Sequence, residues 1–88
     1  MMDRNLIRAF WDCGDDQIIQ FAIQRAHLNK NEREIIDLIL DRCYTQEKAA
    51  EYMDMSVRTV QSVWNSACKK IIEIPWVRAY AKELRNLL

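Results

Sequence analysis

A chain of 88 residues holding one glycine, Gly14, and one proline, Pro75, lacks the turn chemistry that sandwiches and barrels need at every strand reversal. The long stretches between those two breakers favour helices, so the expected class is all-α, a small bundle of five to six helices. Half of the residues are apolar and 30% are charged, the balance of one small globular domain that buries a modest core. No apolar run approaches the roughly 18 to 20 residues that cross a bilayer. Met1 to Arg8 mixes acid and base where a signal peptide would be apolar. No membrane association is expected, and the expected location is cytoplasmic.

Three cysteines, Cys13, Cys43 and Cys68, are an odd number without a CxxC pair, and His27 is the single histidine. Zinc sites draw on four ligands at short paired spacing, so no metal is expected here. The thiols read as reduced, with two of them filling helix faces as small apolar groups. His27 stands far in sequence from Ser56, Ser62 and Ser66, and no glycine-rich loop precedes a helix. The chain is therefore expected to be no enzyme, with no catalytic residues, no cofactor and no small-molecule substrate.

Asp3 can cap a first helix carrying Leu6, Ile7, Phe10 and Trp11 at helical spacing, with Gly14 as its stop. Asp15 or Asp16 can cap a second, in which Ile18, Ile19, Ala22 and Ala26 form one face, widened by Phe21 and Ile23, and which ends near His27. Asn29 followed by Glu32 is a capping-box variant that opens a third helix from about Lys30 to Arg42, with Ile36, Ile39, Leu40 and Cys43 on one stripe. Thr45 can cap a short fourth helix, Gln46 to about Met53, which Asp54 breaks. Ser56 can cap a fifth, whose stripe is Val57, Val60, Val63, Trp64, Ala67 and Ile71. Pro75 can start a sixth, lined by Trp76, Val77, Tyr80, Leu84 and Leu87. The expected organisation is a single domain, 1–88, with a motif core at about 28–72, N-terminal helices in 3–27 and a C-terminal amphipathic helix in 75–88.

The stretch from Thr45 to Trp64 meets the physical demands of a helix-turn-helix. A two-turn helix, a tight turn and a capped helix follow one another; small Ala50 lets the helices approach, and Val60 and Val63 can pack back onto the first of them. In such a motif the second helix enters the major groove of DNA.

From about Ile18 to Ile72 the sequence resembles region 4 of bacterial sigma factors and, more broadly, LuxR-type helix-turn-helix regulators. The resemblance rests on Leu28 and Glu32, on Thr45, Glu47, Ala49 and Ala50, on Met55-Ser56-Val57-Arg58-Thr59-Val60, on Ser62, and on Ala67-Cys68-Lys69-Lys70-Ile71. It implies sequence-specific binding of double-stranded DNA and contact with RNA polymerase. The sequence departs from that pattern in placing Asp54 where a turn glycine is usual, and Val63 and Ser66 where arginines are common. Asp visits the left-handed region more readily than most residues, so the turn is expected to survive. A chain this short has no room for the promoter-melting part of a sigma factor, so a stand-alone regulator of bacterial or phage type is expected.

Charge is unevenly spread. Residues 1–27 hold 3 basic and 4 acidic groups, residues 28–55 hold 4 and 7, and residues 56–88 hold 6 and 2, for nets of −1, −3 and +4. No acid lies between Ser56 and Ile72. Opposite the valine stripe the fifth helix carries Arg58, Ser62, Asn65 and Lys69, with Gln61 at the edge. Arg suits a guanine edge, Gln and Asn an adenine edge and Lys a phosphate. The expected DNA-binding set is Arg58, Gln61, Ser62 and Asn65 for bases and Thr45, Gln46, Thr59 and Lys69 for phosphates, with the recognition helix at about 56–71. The alternative is a protein-interaction module that keeps this skeleton and grips RNA polymerase or a sigma factor. A homodimer through Trp76, Val77, Tyr80, Leu84 and Leu87, helped by Phe10 and Trp11, is the further expected partner arrangement.

Overall fold

Each helix must find partners for its first N–H and last C=O groups, and the residues that supply them set where the elements begin and end. The computed structural model describes residues 4–87, and among these it shows six α-helices and no strand. They are α1 (Arg4–Trp11), α2 (Asp16–Arg25), α3 (Lys30–Ile36), α4 (Gln46–Met53), α5 (Val57–Ile72) and α6 (Pro75–Leu87). The expected all-α fold is the observed one.

Four of the expected caps are formed. Asp15 Oδ1 accepts the Gln17 and Ile18 N–H groups at 3.1 and 3.2 Å. Asn29 and Glu32 close a reciprocal capping box at 2.8 and 2.9 Å. Thr45 Oγ1 accepts from Lys48 N–H and Ser56 Oγ from Thr59 N–H, both at 3.1 Å. The Asp3 cap lies outside the described residues.

At the C-terminal ends His27, Cys43 and Asp54 have φ of 53°, 57° and 56°, a left-handed conformation that glycine usually supplies. Asp54 donates its N–H to the Glu51 carbonyl at 3.3 Å and Met55 donates to Ala50 at 2.9 Å, the paired bonds of a Schellman motif. The turn thus keeps its geometry with aspartate in the glycine position.

The third helix differs from expectation. Its α ladder stops at Ile36 and continues as a π turn, Asp37–Asp41, with the Arg42 N–H reaching Asp37 at 3.1 Å. The wider turn breaks the α register, so the expected stripe does not hold beyond Ile36: Leu38 is fully buried, Ile39 and Leu40 are half-buried and Cys43 is exposed. Of the three thiols only Cys68 is fully buried, not two as expected, since Cys13 sits half-buried in the loop after α1.

Contacts divide the described residues into two compact units. The first comprises the residues up to His27 together with those from Cys68 onward. In it α1 packs against α6, with Phe10 edge-on to Tyr80 and Trp76 at ring-centroid distances of 6.2 and 6.5 Å. Leu6, Ile7, Ala22, Cys68, Ile71, Ile72, Val77 and Ala81 are buried in this unit. Phe21, expected to widen the inner face of α2, is 45% exposed and lies against Trp76 at 5.7 Å, with the Arg25 guanidinium 4.3 Å from its ring centre.

The second unit, Leu28–Ala67, is built on a cluster of Ile35, Leu38, Ala49, Ala50 and Val60, with Met53, Met55, Val57, Val63 and Trp64 packed around it. Alanine at both inward positions of α4 leaves no side-chain bulk beyond Cβ between that helix and Val60. Ala50→Leu is expected to cost about 1 to 3 kcal/mol by overpacking, measured by urea denaturation; a loss of a few tenths would contradict the close packing.

Burial pushes the Cys68 thiol from its ordinary 9.0 up to about 12, against a smaller opposing pull from the neighbouring Trp11 indole. Above about pH 9 the unfolded chain releases this proton while the folded chain keeps it, so stability falls as pH rises toward 12. Relative to Cys68→Ala, the unsubstituted chain should lose about 2 kcal/mol more between about pH 8 and 10.5, read from urea midpoints at both pH values.

Candidate nucleic-acid interface

Three residues, Asp54, Met55 and Ser56, join α4 to α5. Within residues 28–67 the apolar side of α5 is held inward by Val60 and Ala67, both fully buried. At 100° per residue the opposite side then faces out, and Arg58, Gln61, Ser62 and Asn65 fall within an arc of about 100° on it. All four are exposed. No carboxylate lies on α5, so nothing on this helix opposes the approach of a polyanion.

The residues expected to position phosphates are more occupied. The Thr45 hydroxyl caps α4, and the Thr59 hydroxyl is paired with Ser56 at 2.9 Å. Gln46, half-buried at the start of α4, accepts a hydrogen bond from Gln61 Nε2 at 3.0 Å, so its side chain is turned onto α5. Lys69 belongs to the other compact unit and stands 4.0 Å from Glu73 in an exposed i, i+4 pair, a contact that contributes at most about 1 kcal/mol. Lys48 lies over the Tyr44 ring at 4.4 Å, and Tyr44 meets Tyr52 edge-on at 6.1 Å, which leaves a cation and an exposed aromatic on the outer side of α4.

Two residues matter here in ways the sequence reading missed. Glu32, 1% exposed, accepts the Asn29 N–H with one carboxyl oxygen and the Ser66 hydroxyl with the other at 2.7 Å. Ser66 stands where the sigma-type pattern commonly has arginine. Ser66 is exposed, and its hydroxyl donates to the buried Glu32 carboxyl, which ties that flank of α5 to the N-terminus of α3. The signal in the sequence was Glu32 itself, a carboxyl whose helix position faces the core.

Of the residues expected to form a dimer face, Val77 is enclosed within its own unit, as is Phe10. Trp76, Tyr80, Leu84 and Leu87 keep accessible surface, with Leu87 83% exposed. Among the described residues no helix is long and apolar enough to cross a membrane, and no three His, Cys, Asp or Glu side chains gather as metal ligands would. No family model, curated protein or solved structure matches this chain.

Removing the Ser66 hydroxyl takes a partner from a buried carboxyl, whereas neighbouring Asn65 faces solvent. Ser66→Ala is expected to destabilise the fold by about 1 to 3 kcal/mol and Asn65→Ala by less than about 0.5 kcal/mol, both from urea denaturation. Equal small effects would show that the Ser66–Glu32 bond is not formed in solution.

Proposed function

We propose that the protein is a sequence-specific DNA-binding transcription regulator in which α4, the Asp54–Ser56 turn and α5 act as a helix-turn-helix and α5 enters the major groove. The observation that carries this reading is the α5 surface: four side chains with base-reading chemistry, Arg58, Gln61, Ser62 and Asn65, are exposed together on a helix without acids. The short connection and the Schellman turn at Asp54 support it, because they fix α5 at once after α4, as a bracing helix and a reading helix require. The likeness of the stretch from about Ile18 to Ile72 to region 4 of sigma factors supports the promoter-recognition type of target.

A second reading is an interaction module for RNA polymerase or a sigma factor. The acidic character of residues 28–55, including exposed Glu47 and Glu51 on α4, favours it, because a net of −3 beside α5 opposes DNA. Salt separates the two: duplex binding should weaken by roughly 0.9 log units per log unit of salt for each phosphate neutralised.

Selection of random duplexes followed by binding measurements tests the first reading. Arg58→Ala should relax preference at one operator position by about 1 to 3 kcal/mol, whereas Lys69→Ala should weaken all sequences nearly alike. Uniform weakening by both substitutions would show that α5 does not read bases.

A further inference from the structure

The side chains of Gln46 and Gln61 meet across the connection between α4 and α5, with Gln61 Nε2 donating to Gln46 Oε1 at 3.0 Å. The pair lies at the surface, where an amide–amide bond replaces bonds to water and adds little to stability. Its effect is on orientation. One of the two Nε2 protons of Gln61 is spent on Gln46, which leaves the Gln61 side chain one N–H donor and the acceptor Oε1.

An adenine in the major groove offers the N7 acceptor and the N6 amino donor, which is the complement of one donor and one acceptor. A guanine offers two acceptors, N7 and O6, and calls for two donors. Gln61 free in solvent can supply two; Gln61 held by Gln46 cannot. We propose that Gln46 is a specificity-determining residue that acts through Gln61, committing that place on the α5 face to adenine over guanine in duplex DNA. This assigns Gln46 the positioning of a base-reading amide, in place of the phosphate contact expected from the sequence, and it rests on the DNA-binding reading above.

The test uses the full chain and the duplexes it enriches from a random pool, with adenine-over-guanine preference measured at each purine position for four proteins. The unsubstituted chain should show a position of adenine preference that Gln61→Ala abolishes. Gln46→Met, which keeps the length and removes the acceptor, should reduce that preference about 3- to 10-fold while the thermal unfolding midpoint stays in place. Gln46→Glu still accepts the Nε2 proton; it should bind all duplexes more weakly, because it adds a negative charge beside the outer side of α5, yet keep the preference. The proposal is overturned if Gln46→Met leaves the preference unchanged, if Gln46→Glu loses it as fully as Gln46→Met, or if no adenine position depends on Gln61. Failure of the unsubstituted chain to enrich any duplex overturns the DNA-binding reading as well, whereas enrichment indifferent to Gln46 overturns this inference alone.

Discussion

A carboxyl group removed from water costs several kcal/mol unless both oxygens are satisfied, and the unit spanning residues 28–67 is organised around one such group. Glu32 gives one oxygen to the backbone N–H of Asn29, which sets where α3 begins, and the other to the Ser66 hydroxyl, which sets how α5 is turned. A helix fixed in rotation at Ser66 and held by the buried Val60 has no freedom to choose its outer face. Arg58, Gln61, Ser62 and Asn65 are exposed on the side opposite Val60 and Ala67, and the Ser66 tie, one turn from Ser62, holds the flank of that side in place.

The approach of α4 depends on a second constraint, the absence of bulk at Ala49 and Ala50 where the cluster with Val60 forms. Asp54 completes it by adopting φ of 56°, so that the backbone of Ala50 and Glu51 receives the N–H groups of Met55 and Asp54. Aspartate bears the strain of the left-handed region better than most side chains, and its neighbours hold it there. The result is a three-residue turn that brings Gln46, at the start of α4, within hydrogen-bond distance of Gln61.

Local chemistry made much of this readable from the sequence. Asp15, Asn29 with Glu32, Thr45, Ser56 and Pro75 mark helix starts through bonds or fixed dihedrals that reach only three residues along the chain, and helical periodicity placed Val60 inside and Arg58 outside. Features that need a partner from another element were not readable. The bond of the Ser66 hydroxyl depends on Glu32, 34 residues away, and the Gln46–Gln61 bond on the packing of α4. The π turn at Asp37–Asp41 has no composition signature, so α periodicity points to Ile39, Leu40 and Cys43 where the structure buries Leu38. Val77 was correctly read as apolar, but spacing along α6 does not say whether its own chain or a second copy covers it; here α6 lies against α1.

The central claim is that the outward side of α5 is the surface that meets DNA. Amide chemical-shift perturbation of the ¹⁵N-labelled chain, titrated with a duplex it enriches from a random pool, tests this most directly. The account predicts the largest shifts at Arg58, Gln61, Ser62 and Asn65, with Gln46 following Gln61, and small shifts at Phe21 and Trp76. Shifts centred on Phe21 and Trp76 with the amides of α5 unmoved, or no shifts at any duplex concentration, would contradict it.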